Sequence, residues 1–213
     1  MKPDELLSRE QARGDSFKLL SDCYYPPDAE LGQKLKELGP QMAVTCDEAF
    51  QYLYKMTEAL ASKDDLGSLE VEHAKLFVGP YKLLAPPYGS VYLEGERRVM
   101  GDSTLDARDR YHEAGVGISE GFYEVPDHIA AELEFMYFLI FREIEAIVHG
   151  DIDGAIDHLT RQKAFLQLHL GAWVPAFAQH VEKNAKTEFY KNLARCTGVF
   201  VKKELEESIV IAC

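Results

Sequence analysis

Residues 129–148 read IAAELEFMYFLIFREIEAIV, and this stretch constrains the fold more than any other. Its apolar side chains recur at helical spacing and are so numerous that such a helix cannot lie open to water. Glu132, Glu134, Arg142, Glu143 and Glu145 interrupt it, too many charges for a membrane span. Other parts of the same chain must therefore cover it. The 213 residues suffice for one ample core, so the expectation is a single domain over residues 1–213.

The covering segments are also helical. Leu6, Leu7, Phe17, Leu19 and Leu20 mark a helix over 4–22, which Pro26-Pro27 stops. A second is expected from Asp28 to Leu38, closed by Gly39-Pro40. Thr45-Cys-Asp-Glu48 reads as a capping box for a third. Ser68–Phe77 reads as helix up to Gly79-Pro80, and Ser103-Thr-Leu-Asp106 opens another that stops at Gly115. Asp151 to about Leu170 and Phe189–Glu207 complete the set, with a break expected near Trp173-Val-Pro175. No βαβ alternation and no repeat is present, so the predicted class is all-α, a compact helical bundle.

Residues 80–101, PYKLLAPPYGSVYLEGERRVMG, depart from this pattern. Three prolines and three glycines forbid a long helix, leaving only Ser90–Leu93 as a brief extended piece. A loop of this length inside a compact domain is uncommon and usually functional. Leu76-Phe77 before it, the stiff Pro86-Pro87 and the aromatics Tyr88 and Tyr92 suit either a loop packed on its own side chains or one wall of a peptide groove.

Charge and motif content narrow the function. A net charge of −13 with a pI near 5.0 opposes a nucleic-acid surface and suits a basic partner. Cys23, Cys46, Cys196 and Cys213 lack CxxC spacing, as expected of free thiols in a reducing compartment. The charged N-terminus has no apolar run of a signal peptide, which points to the cytoplasm. Phosphate-binding glycine loops, the G-x-S-x-G elbow and HExxH are all absent.

The start of the apolar helix, Glu124-Val-Pro-Asp-His128, leaves alternatives open. Pro126 fits the first helical position, which puts Asp127 and His128 in the first turn, where an acid favours the helix dipole. Capping alone explains Pro126 and Asp127. Asp127 and His128 could instead serve as base and acid in a helical hydrolase or nucleotide-binding enzyme, or His128 could join a metal site. A di-iron bundle needs two Glu-x-x-His pairs, and only Glu70-Val-Glu-His73 has that form. Phe165, His169 and Trp173 recur every four residues, as in a buried aromatic joint with a hydrogen-bonded histidine.

Together these stretches resemble the TorD/DmsD family of cytoplasmic chaperones for molybdenum-dependent redox enzymes. Leu76-Phe77-x-Gly-Pro80 with Ala85-Pro-Pro-Tyr-x-Ser-Val-Tyr92, Glu124-x-Pro-Asp-His128-Ile with Leu133 and Met136, and His169-Leu-x-x-Trp173-x-Pro-x-Phe177 carry the resemblance, over about residues 70–180. Gly89 stands where the family commonly has an acid, and His73 where it commonly has tyrosine. The resemblance implies an all-helical chaperone, not an enzyme. It would bind the twin-arginine leader of a molybdopterin-dependent oxidoreductase precursor and hold it for cofactor insertion before export. It implies no catalytic residue, metal or cofactor of its own, no nucleic acid or membrane insertion, and either a monomer or a domain-swapped dimer. The implied peptide-binding residues are Glu124, Pro126, Asp127, His128, Leu76, Phe77, Pro86, Pro87, Tyr88, Ser90, Tyr92 and Trp173. Glu124 and Asp127 would attract the basic end of the leader, and His128 would add pH dependence near neutrality.

Overall fold

A computed structural model describes residues 3–79, 83–94, 99–116 and 125–210. The described chain is helical: α1 (Pro3–Asp22), α2 (Leu31–Thr45), α3 (Asp47–Ser62), α4 (Leu66–His73), a π-helical turn (Ala74–Val78), α5 (Ser90–Leu93), α6 (Asp102–Glu113), α7 (Ile129–His149), α8 (Ile152–Leu168), α9 (Leu170–Asn184) and α10 (Glu188–Val210). Among the described residues the only strand-like pairing is one antiparallel bridge, Tyr88 to His128.

Helix α7 is the apolar segment of the sequence, and it is covered as expected. Ile129, Leu133, Met136, Leu139 and Ile140 are inaccessible to water, with α1 on one side and α8 on the other. Helix α10 packs against α3 and α9, and α1 also against α2, so one continuous core runs through the bundle. The α7–α8 corner is a tight turn: Gly150 adopts φ 73° as the left-handed cap, and Asp151 accepts the Gly154 N–H. Buried carboxylates join distant helices. Arg13 of α1 pairs with Glu10 and with Glu204 of α10, and donates to Gln162 of α8. Glu72 accepts the Lys186 and Thr187 N–H groups ahead of α10, and Asp64 accepts that of Phe189.

Several boundaries differ from the sequence reading, each for a packing reason. Helix α2 does not stop at Gly39-Pro40 but continues to Thr45, because Leu31, Leu35, Leu38, Met42 and Thr45 form one unbroken buried stripe. Thr45 is consequently no N-cap; its hydroxyl bonds back to the Gln41 carbonyl, and Cys46 is the N-cap of α3. Helix α4 ends one turn early in a π-turn, closed by the Gly79 N–H on the Ala74 carbonyl with Gly79 at φ 95°. Ser90–Leu93 is a helical turn instead of an extended piece. Pro175 lies inside α9, and the break falls upstream at His169. Gly171 permits that corner: a Cβ there would sit 2.5 Å from the Leu166 carbonyl oxygen.

No helix among the described residues is long and apolar enough to cross a membrane. The described cysteines, Cys23, Cys46 and Cys196, are buried free thiols.

Candidate functional site

The proline-rich loop and the start of α7 are joined by a short clasp. The Gly89 N–H donates to the Asp127 carbonyl at 2.9 Å, and the Ile129 N–H to the Pro87 carbonyl at 2.9 Å. Between them the Tyr88 ring meets the His128 ring edge-on, centroids 5.5 Å apart. The Asp127 carboxylate accepts the Ser90 N–H at 2.7 Å. Two proline-stiffened segments thus satisfy each other's backbone groups, as buried main chain requires.

Helix α7 starts later than the sequence suggests. Pro126 and Asp127 form a turn closed by the His128 N–H on the Val125 carbonyl, and His128 itself is the N-cap, its Nδ1 accepting the Ala130 N–H at 3.2 Å. That bond needs Nδ1 unprotonated, so the ring is neutral with its hydrogen on Nε2. Burial, with His73 nearby, pushes its pKa down to about 4. The expected titration of His128 near neutrality therefore does not occur in this fold.

A second layer lies below the clasp. Trp173 of α9 donates its indole N–H to Glu132 at 2.8 Å, and neither side chain is exposed. Burial raises the Glu132 carboxyl above its usual range, against the opposing pull of His169 and Trp173. His169, at the α8–α9 break, stacks on Phe165 (4.5 Å, 14°) and donates from Nε2 to Asp106 of α6 at 2.7 Å. Its Nδ1 lies 3.4 Å from Glu132. Burial alone would lower the imidazole pKa, but Glu132 and Asp106 outweigh it and hold the pKa above normal. Tyr92 stacks on Trp173 at 5.6 Å and donates to the Pro86 carbonyl, which fixes the loop to α9.

Eleven of the implied peptide-binding residues fall in this one region; Glu124 lies outside the described residues. Leu76, Phe77, Pro86, Pro87, Ser90, Asp127, His128 and Trp173 are buried, and Pro126, Tyr88 and Tyr92 are half-buried. Most of the buried eight hold the loop in place, Leu76 also lines the groove beside it, and the Asp127 carboxylate points into the joint. Beside the loop, a groove of about 490 Å³ runs between α4 and the α9–α10 link, lined by Val71, Leu76, Leu84, Asp65, Lys75 and Lys186 among others. Val71 and Leu84 are exposed on its rim.

Sequence reasoning missed Glu132, Asp106 and Tyr111, whose hydroxyl donates to the Pro126 carbonyl at 2.7 Å. Glu132 carried a signal, an acid at helical spacing from Ile129, Met136 and Leu139 on the face that must be covered. Gly89 also gains a reason: a Cβ there would lie 3.1 Å from the Trp173 indole nitrogen and 3.4 Å from Glu132. His73 is buried against Phe77 and lies 3.0 Å from the Tyr24 carbonyl. Among the described residues no three His, Cys, Asp or Glu side chains are grouped to hold a metal ion.

The model of the nitrate reductase delta subunit family matches residues 40–179, which include all three stretches described above. The chaperone protein TorD of Vibrio parahaemolyticus is 28% identical over 152 residues, covering 69% of each chain. The Tat proofreading chaperone DmsD of Salmonella typhi is 28% identical over 179 residues, covering 81% of this chain and 78% of that one. In fold, the chain is similar to the crystal structure of a proposed redox enzyme maturation protein from Archaeoglobus fulgidus, with a TM-score of 0.56 and 24% identity over 89% of this chain and 93% of the other. The chain belongs to the nitrate reductase delta subunit family, alongside the TorD and DmsD chaperones.

Proposed function

We propose that this protein is a cytoplasmic chaperone that binds the precursor of a molybdopterin-dependent oxidoreductase through its twin-arginine leader, holding it for cofactor insertion before export. One observation carries the reading. The three family-like stretches, far apart in sequence, converge on a single clasp, and an apolar groove about 490 Å³ in volume runs beside the loop it holds. A leader has a basic end followed by an apolar stretch. The groove rim offers Val71 and Leu84 to the apolar part, while Tyr88, Tyr92 and Pro126 are half-buried elsewhere on the loop and clasp. The net charge of −13 attracts the basic end from a distance. Prolines 86 and 87, already fixed by the clasp, lower the ordering cost of binding. Asp127, His128, Trp173 and the other buried members act by positioning this surface.

The test is recovery of the client. The tagged full chain, purified from its own cells, should bring down a molybdoenzyme precursor with its leader uncleaved, as identified by mass spectrometry. Recovery of mature, leader-free enzyme alone would overturn the leader as the bound element. Recovery of no molybdoenzyme would overturn the whole reading.

A further inference from the structure

Helix α6 is attached to the bundle by few groups. Only Thr104, Ala107 and Tyr111 are buried, one narrow stripe at helical spacing. Its hydrogen bonds to other helices and their flanks include the Tyr111 hydroxyl on Pro126 and the Asp106–His169 ion pair, and Glu94 accepts the Ser103 N–H and hydroxyl at its start. Against this stripe lie aromatic faces: Phe135 is 4.5 Å and Phe165 6.1 Å from the Tyr111 ring. Glu132 and Asp127 are near enough that, with burial, they push the Tyr111 phenol well up. A gap of about 30 Å³ already separates Arg110 and Glu113 from Phe135 and Phe165.

The polar atoms in this region are incompletely used. Thr104 Oγ1 and Asp127 Oδ1 are buried without a hydrogen-bond partner, and Glu132 Oε1 faces only the His169 Nδ1 at 3.4 Å. A buried polar group without a full partner is unfavourable, so such groups beside one weakly attached helix call for a cause. The Asp127 oxygen lacks a donor and the Glu132 oxygen has only that distant one, both beside aromatic rings. An arginine side chain answers both features, because its planar guanidinium carries five N–H donors and stacks on aromatic faces.

We propose that α6 is a cover held shut by the Asp106–His169 ion pair, and that lifting it opens an acid-floored aromatic pocket for an arginine of the client's leader. The occupant rests on the leader reading above; the cover does not. The groups facing His169 are Asp106 and Arg110 from α6 and Glu132 from α7, with Asp127 beyond Glu132; Phe165 of α8 and Trp173 of α9 bring no charge. Arg110 and His169 hold the Asp106 carboxyl below its usual range despite the cost of burial, while His169 is held above its own. The ion pair is therefore complete between those limits. It is lost as pH falls through the lowered Asp106 pKa, or as pH rises through the raised His169 pKa.

The test is hydrogen exchange and peptide titration on the full chain. Asp106 is half exposed and alanine favours helix, so Asp106→Ala leaves α6 able to form. Amides from Thr104 to Glu113 should exchange about fivefold faster in Asp106→Ala than in the unchanged protein. A synthetic twin-arginine leader peptide should bind the variant severalfold tighter, and the same peptide with both arginines changed to glutamine should show no such gain. Unchanged exchange in Asp106→Ala overturns the cover. A leader peptide that binds both proteins equally overturns the cover's role and spares the leader reading. A leader peptide that binds neither overturns the occupant together with that reading.

Discussion

The bond between Trp173 and Glu132 ties α9 to α7 beneath the clasp, and its contribution is open to direct measurement. The indole N–H lies 2.8 Å from a carboxylate oxygen, and neither side chain is exposed. A hydrogen bond to a charged acceptor contributes about 1.5–3 kcal/mol, and solvent does not weaken it here. Trp173→Phe removes the donor and leaves the carboxylate facing only the more distant His169. With the lost ring volume, its expected cost is about 3–5 kcal/mol. Glu132→Met removes the acceptor while preserving volume, leaving the indole N–H unpaired at a cost of about 1–3 kcal/mol. The double variant lacks the pair altogether, so it should be more stable than the sum of the single costs implies, by about 1.5–3 kcal/mol. Urea unfolding of the four proteins measures this coupling. Far-UV circular dichroism is the appropriate signal, because Trp173 is the only tryptophan in the chain. Costs that add within about 0.5 kcal/mol would refute the assignment of this bond as the link between the helices.

Two further predictions concern glycine and histidine. Gly39 lies within α2 directly ahead of Pro40, so in Gly39→Ala the gain in helix propensity is opposed by the new Cβ against the proline ring, and stability should change by less than about 0.5 kcal/mol. Gly171→Ala, by contrast, places a methyl against the Leu166 carbonyl and should lower stability by about 1–3 kcal/mol; thermal unfolding of the pair distinguishes them. His128 has a folded pKa pushed down to about 4, below its unfolded value, so its contribution is present above the unfolded pKa and is lost as pH falls towards 4. The loss should reach roughly 3 kcal/mol. Imidazole NMR titration should show this ring neutral throughout pH 5 to 8; a midpoint near 6.5 there would contradict its role as a cap on Ala130.

The parts of the fold legible in sequence were those set by long periodic stripes. Residues 129–148 announced a covered central helix, because no other arrangement removes that much apolar surface from water. Boundaries set by tertiary contact were not legible. Gly39-Pro40 is a stop signal locally, yet the stripe from Leu31 to Thr45 carries α2 through it. Pro175 is tolerated within α9, and the break it seemed to mark belongs to His169, where Gly171 lets two helix ends meet closely. The site was legible as a grouping and not as a surface. Asp127 and His128 look like exposed acid and base beside Pro126, but their hydrogen bonds go to Ser90 and Ala130 inside the protein. Glu132, Asp106 and Tyr111 act through partners many residues away, and helical spacing carries no information about such pairs.

The central claim is that the surface on and beside the proline loop binds a leader. Calorimetric titration of a synthetic twin-arginine leader peptide into the protein tests it most directly, repeated at rising salt and with Leu84→Ser, an exposed rim substitution expected to leave the fold intact. The account predicts saturable binding that weakens as salt rises and weakens further in Leu84→Ser. Absence of binding at low salt, or binding indifferent to both salt and Leu84, would contradict it.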